Sequence, residues 1–448
     1  MKIRTIFTAV LTFAAVVVTS AETPEKSSPS EEKISTENTE KTQEQQKRPR
    51  FIIGGYGEAV MSRNFYTDSW QRYSNPEKYK DEQGHGRFDL PHVTVFMGYD
   101  FGKGWSMGTE IEFEHGGTES AIEIEEEETG EYESEIERGG EVALEQFWIQ
   151  KSWKPSLNLR MGHIIVPIGL TNGHHDPTEF FGMYRPEGES SIIPCTWHET
   201  GISFWGEAKG WRYEAQFIAG LDADRFNNRN WIKGGAGSPY EFKIANSYAG
   251  AFRVDNFSVK GLRIGLSAYV GNSAHNSLKW RSYKDMAGTV GLGSIDLTYD
   301  DHNVIIRGSV LYGHLTNSGL ISETNRRLKG FGITSPANIA SDAIAAGLEI
   351  GYDFFALNRK LKEKEQKFYL FARYDYYDSM LKMGVNSKGQ QLLDEPMWKR
   401  QKVSVGINYY PIKDIVIKAE YTHRIFDRPF NNEPALNIGI AYSGLFRR

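Results

Sequence analysis

The sequence predicts an all-β fold: a 16-stranded antiparallel transmembrane β-barrel over residues 51–448, with one long loop folded inward. Three observations carry that prediction. The last segment, Ala435–Phe446, alternates Leu436, Ile438, Ile440 and Tyr442 with Asn437, Gly439, Ala441 and Ser443. Side chains of a strand point to opposite faces in turn, so one face is apolar and the other polar or small. The segment has about the 9–11 residues with which a tilted strand crosses a bilayer. Charged residues in earlier strands fall on the polar phase, and the connections alternate between short and long.

The chain opens on Lys2 and Arg4, an apolar stretch from Ile6 to Val18, and Thr19-Ser20-Ala21. This is the pattern of a cleaved export signal over residues 1–21. The apolar stretch is shorter than the ~20 residues of a helical span. Residues 22–50 are rich in Glu, Lys, Ser, Thr and Gln, with Ile34 the one large apolar residue. They bury too little to offset the entropy of ordering, so a disordered polar periplasmic tail is expected.

Composition narrows the classes. Mean hydropathy is -0.50, and no second apolar run is long enough for a helical span, which leaves strands as the means of crossing. Aromatic residues at 13% and 45 glycines suit short strands, tight turns and interfacial aromatic girdles. The net charge of -6 gives no basis for nucleic-acid binding. The single cysteine, Cys195, forms no disulfide within the chain.

The predicted strands are Phe51–Met61, Arg87–Tyr99, Trp105–Glu114, Val142–Trp153, Leu157–Ile165, Thr200–Glu207, Trp211–Leu221 and Ala245–Val254. Leu262–Gly271, Gly288–Tyr299, Asn303–Leu315, Ala343–Phe354, Phe368–Tyr377, Lys399–Tyr410, Ile415–Ile425 and Ala435–Phe446 complete the set. Short connections such as Asp100–Gly104, Ala208–Gly210 and Asp300–His302 alternate with long ones such as Ser62–Gly86, Val166–Glu199 and Thr316–Asp342. Outer-membrane barrels show this asymmetry, with short periplasmic turns and long external loops.

Charge phasing is the sharper test. Arg263 lies opposite Leu262, Ile264 and Leu266. Lys418 and Glu420 lie opposite Ile417, Ala419 and Tyr421. Arg373 and Asp375 lie opposite Ala372, Tyr374 and Tyr376, and Arg212 and Glu214 opposite Tyr213 and Ala215. Glu110, Glu112 and Glu114 lie opposite Thr109, Ile111 and Phe113. A lysine or arginine facing mid-bilayer lipid costs about 2–4 kcal/mol, so this phase is expected to face a wet lumen. The inward candidates for the pore wall are Arg160, Arg212, Arg253, Arg263, Arg307, Arg373, Lys402 and Lys418. Glu110, Glu207, Glu214, Asp296, Glu349, Asp375 and Glu420 accompany them.

The segment Val166–Glu199 reads VPIGLTNGHHDPTEFFGMYRPEGESSIIPCTWHE. Its histidines, prolines, glutamates and aromatics are unlike a floppy polar loop. Folded inward, it would place His174, His175, Asp176, Glu179, Arg185, Glu187 and Glu189 in a mixed-charge constriction; folded on itself, it would remain an external loop. Other constellations carry less. His174-His175-Asp176 has donor types that suit a metal but no evident fourth partner, so no metal or other cofactor is expected. His163, Asp176 and Ser190 or Ser203 have no spacing that makes a hydrolase set, and no enzyme activity is expected. Glu119–Glu137 holds ten glutamates and no base, which reads as a solvated acidic loop or, alternatively, a cation-collecting one. Trp148, Trp153, Trp205, Trp211 and Tyr409-Tyr410 read as interfacial girdle, with stacking inside the pore as the alternative.

Arg160-Met161-Gly162-His163, Pro167-Ile168-Gly169-Leu170, His174-His175-Asp176-Pro177, Tyr184-Arg185-Pro186-Glu187-Gly188-Glu189 and Ile193–Gly201 resemble the phosphate-selective porin O and P family, in its Bacteroidetes branch. The motifs cover about 160–206. The resemblance implies an outer-membrane porin in contact with lipid and lipopolysaccharide, a homotrimer, with an inward third external loop. Arginines that form a ladder in phosphate-specific members are here interspersed with carboxylates. The expected function is passive diffusion of small hydrophilic solutes and ions. An anion- or phosphate-selective channel and a surface adhesion barrel stand as alternatives.

Overall fold

The computed structural model describes residues 50–448, except 117–122, 127–131, 136–140, 238–243, 278, 329–335 and 448. The expected export signal and nearly all of the expected tail lie outside the described residues. So do parts of the acidic stretch 119–137, of which a separate two-stranded hairpin, Glu123–Glu126 with Tyr132–Glu135, is described.

Sixteen antiparallel strands follow one another around a closed barrel. They are β1 (Phe51–Asn64), β2 (Gly86–Asp89 continued by His92–Gly102), β3 (Trp105–Glu114), β4 (Glu141–Lys154), β5 (Leu157–Ile165), β6 (His198–Ala208), β7 (Trp211–Ala219) and β8 (Tyr248–Val259). Then come β9 (Leu262–Asn272), β10 (Thr289–Asp301), β11 (Val304–Leu315), β12 (Ala340–Asp353), β13 (Lys367–Met383), β14 (Lys399–Ile412), β15 (Ile415–Phe426) and β16 (Glu433–Arg447). Each pairs with its sequence neighbour, and β1 pairs with β16 from Ile53↔Arg447 to Asn64↔Ala435, which removes both sheet edges. The break in β2 falls at Leu90-Pro91, where proline has no N–H for the ladder.

The wall alternates as the sequence dictates. Phe217 is 56% exposed and Gln216 4%; Leu266 is 57% exposed and Ser267 7%. The outward phase is an apolar surface too continuous for water, which is the outer face of a membrane barrel. At the end where the chain enters and leaves, Phe101, Trp105, Trp153, Trp211, Phe257, Phe354 and Phe446 are exposed, an aromatic girdle. Tight turns close most hairpins at this end. Lys103-Gly104, Lys209-Gly210 and His302-Asn303 have positive φ at both positions, the backbone twist that two-residue hairpins require.

The structure departs from expectation in three places. The 354–366 connection is at the short-turn end yet carries the helix Arg359–Glu363. Trp148 and Trp205 do not join the girdle: they face inward, with the Arg160 guanidinium 4.6 and 5.6 Å from their ring centroids. Tyr410 packs inside against Phe181, Tyr369 and Phe371. The opposite end is filled by loops. Ile168, Ile192, Trp197, Phe226, Trp231, Tyr283 and Ile321 form one buried apolar cluster with Ile164, Ile218 and Leu311 of the wall.

Candidate functional site

Most charged side chains of the inward phase are paired. Register makes the pairs: Glu349 of β12 lies opposite Arg307 of β11 and Arg373 of β13. The bonds are Arg307 to Glu349 at 2.7 Å, and Arg373 to Glu349 at 3.0 Å and to Asp375 at 2.7 Å. Arg253 reaches Asp255 at 2.8 Å and Asp296 at 2.9 Å, and Arg263 meets the same two carboxylates at 2.8 Å. Arg212 pairs with Glu214 at 2.9 Å and approaches Glu207 at 4.0 Å. Arg160 donates to Gln150 at 3.1 Å, and Glu420 accepts from Asn437 at 3.0 Å. Nearby carboxylates thus neutralise Arg212, Arg253, Arg263, Arg307 and Arg373 within their own patches of wall, while Arg160 lies against Trp148 and Trp205.

The segment 166–197 is bonded to this wall on many sides. Gly169 donates to Ser267 of β9 at 3.0 Å, and its carbonyl accepts from Arg253 of β8 at 2.8 Å. Arg185 donates to Glu112 of β3 at 3.1 Å and to Tyr56 of β1 at 3.2 Å. Phe181 packs on Tyr369 and Phe371 of β13. Ser443 of β16 donates to Asp176 at 2.8 Å. Lys418 of β15 donates to the carbonyls of Pro177, Phe180 and Gly182 at 2.5, 2.9 and 2.7 Å. Side chains of strands from β1 round to β16 thus bond this segment.

Within it the seven constriction candidates divide. Glu189 is buried and accepts from the backbone N–H groups of Leu170 and Thr171 at 2.9 and 2.8 Å; it shapes the segment. Burial pushes its carboxyl up. Arg185 is likewise buried in its pair with Glu112. Burial pushes the His175 imidazole down to about 3, helped by the Arg185 charge. His174 and Glu179 are exposed enough to meet solvent and bond each other at 3.2 Å. Asp176 is half-buried, and burial with Glu179 beside it pushes its carboxyl up to about 6.

Glu187 stands elsewhere. It accepts from Lys402 at 2.9 Å, from Tyr377 at 2.6 Å and from Arg424. Burial would raise its carboxyl, but Arg424 and Lys402 outweigh it and hold the group well below the usual carboxylate range. It borders a polar cavity of about 260 Å³ that is also lined by Ser190, Ser191, Arg229, Asn230, Lys233, Tyr377, Trp398, Arg400 and Arg424. Four cations face one carboxylate there. Arg229 meets no described carboxylate; its guanidinium lies 5.3 Å from the Trp70 ring centroid. Arg229, Lys233, Arg400 and Arg424 were not among the sequence candidates. They sit in loops and at strand ends, where period-two phasing has no say.

The other sequence sets are dispersed. His163 is bonded to Thr200 and His198, Ser190 to the Pro186 carbonyl, Ser203 to Glu214 and Asp176 to Ser443, so no hydrolase set forms. His174 turns to Glu179 and not to His175 or Asp176.

No family model matches the chain. A protein of Aquifex aeolicus (strain VF5) described as uncharacterized is 24% identical over 387 residues, 85% of this chain and 77% of that one. Among solved structures, Salmonella typhi OmpF in complex with daunomycin superposes with a TM-score of 0.50 at 10% identity, covering 88% of this chain and 97% of that one. The outer membrane channel DcaP of Acinetobacter baumannii gives 0.48 at 9% identity (88% and 97%), and an anion-selective porin from Comamonas acidovorans 0.46 at 10% (88% and 98%). The OmpF likeness is one of fold.

Proposed function

We propose that the chain is an outer-membrane porin that lets small hydrophilic solutes and ions diffuse passively. The observation that carries this reading is the combination of an apolar outer wall with a charged, polar inner one around sixteen strands, a width that accommodates an aqueous path. The residues 166–197 set the size limit, with His174, Asp176, Glu179 and Glu187 in contact with the path and His175, Arg185 and Glu189 holding the segment's shape. The homotrimer and the lipopolysaccharide contact belong to the same proposal, as does membership of the phosphate-selective porin O and P family, which rests on the motif residues alone.

A preference for anions is the second reading, and the cavity bordered by Arg229, Lys233, Arg400 and Arg424 favours it. A ring of one sign attracts the opposite ion. The test is the reversal potential of single channels in a salt gradient across a planar bilayer. A barrel with no conductance would rule out the channel. Conductance without anion preference would rule out the second reading only.

A further inference from the structure

Two buried polar groups near the inward segment take no part in holding it, and a strand irregularity brings them together. In β4, Gln146 lies opposite Glu110 and Leu144 opposite Ile111, so Glu145 is an extra residue, a β-bulge. Val142 and Leu144 face outward before it and Phe147 and Ile149 after it, so Glu145 and Gln146 both turn inward. Bulges re-aim side chains in this way. Carboxylate oxygens of Glu110 and Glu145 and a ring nitrogen of His175 then lie within 4.8 Å of one another. All three residues are more than nine-tenths buried.

The atoms facing this point lack partners. Among the described residues neither oxygen of Glu145 nor Nε2 of His175 has a hydrogen bond of good geometry; Thr196 and Glu112 lie beside Glu145. Leaving a buried carboxylate unpartnered is costly. The imidazole is already oriented. Its Nδ1 lies 3.1 Å from the Asn172 carbonyl, which can only accept, so the proton sits on Nδ1 and the Nε2 lone pair points at the carboxylates. Metal-bound histidines are fixed by such a bond on the far nitrogen. The Gln146 amide orients Glu110 in the same manner. Charge points the same way. Of Glu110, Glu112 and Glu145, only Glu112 is matched, by Arg185. Once ionised, Glu110 and Glu145 supply two negative charges, the balance for one divalent cation.

We propose that Glu110, Glu145 and His175 bind one divalent first-row transition cation, of the Zn²⁺ or Mn²⁺ kind. The imidazole nitrogen among carboxylates favours such ions over Ca²⁺ and Mg²⁺, which prefer oxygen alone. Asp176 Oδ1, 4.0 Å from the same Nε2, is a further oxygen within reach. The cation would tie β3 and β4 to the inward segment, and the proposal stands whether or not the barrel conducts.

The test uses the full chain in detergent, stripped with chelator and titrated separately with Zn²⁺, Mn²⁺ and Ca²⁺ by calorimetry, with Co²⁺ absorption as the reporter of nitrogen ligation. The expected result is one equivalent of Zn²⁺ or Mn²⁺, no competition from equimolar Ca²⁺, a Co²⁺ spectrum that requires nitrogen, and at least tenfold weaker binding in Glu145→Gln and His175→Gln. Unheated gel mobility reports whether each variant folds. Should neither fold, the wild-type stoichiometry and Co²⁺ spectrum decide alone. No binding, Ca²⁺ preferred to Zn²⁺, or binding unchanged in both folded variants, as attachment to the acidic residues 119–137 would give, each overturns the assignment.

Discussion

Lys418→Met tests whether the wall positions the inward segment. The lysine is buried on β15, its amine donates to three carbonyls of residues 177–182, and it lies 4.5 Å from the Phe180 ring centroid. Methionine keeps most of the apolar stem but leaves the three acceptors unmet, and Glu58 and Glu420 lose a nearby positive charge. Each hydrogen bond to a charged donor contributes about 1.5–3 kcal/mol, though the three do not add. Removing one partner from a buried charged site costs about 3–5 kcal/mol. At about 1.4 kcal/mol per factor of ten, the docked arrangement of the segment weakens between roughly a hundredfold and a few thousandfold. The strand ladder is untouched, so heat-modifiable gel mobility is expected to stay the same. Chymotrypsin cleavage at the buried Phe180 and Phe181 is expected to accelerate, and single-channel conductance to rise and become noisy. Unchanged cleavage and unchanged conductance in a correctly folded variant would refute the reasoning.

Other substitutions probe the cavity and the wall. Arg229→Ala removes a cation with no described carboxylate partner, and the reversal potential is expected to shift toward cation passage by several millivolts without loss of folding. Glu187→Gln is expected to move the potential the other way. The Glu187 carboxyl is held below its unfolded value of about 4.3, so its contribution is full above that pH and fades as acid takes the pH through the lowered folded value. The Glu187 contribution to conductance is therefore expected to persist through pH 5, after Asp176 has titrated near 6, and to be lost only in stronger acid, a step that Glu187→Gln abolishes. Arg253→Met leaves Asp255 and Asp296 to share Arg263 and is expected to cost about 1.5–3 kcal/mol, read as a lower urea midpoint for folding into vesicles.

The strands were legible because their signal is local. Trp105–Glu114 and Leu157–Ile165 match to the residue, since alternation starts and stops at visible turns. The start of β8 was read three residues early at Ala245, where Ala, Asn and Ser carry little phase. The β4 bulge left a trace, with outward residues moving from Val142 and Leu144 to Phe147 and Ile149, and only that shift marks Glu145. The Arg160 stack on Trp148 and Trp205 was hidden because a tryptophan near a strand end looks alike on either face. Ion pairs across strands depend on register, which one strand alone does not specify. The cavity was out of reach altogether: Arg229 and Lys233 come from one loop, Arg400 and Arg424 from two strand ends, and only tertiary folding joins them.

A nitroxide scan of Leu262–Val270 in lipid vesicles, one spin-labelled cysteine at a time in a Cys195→Ser background, addresses the barrel most directly. Collision with oxygen, which concentrates in hydrocarbon, is expected to peak at Ile264, Leu266 and Ala268. Collision with a water-soluble nickel chelate is expected to be greater at Arg263, Gly265 and Ser267 than at those positions. Equal accessibility at neighbouring positions, or oxygen maxima on the Arg263 phase, would contradict an outer wall in lipid and a polar interior.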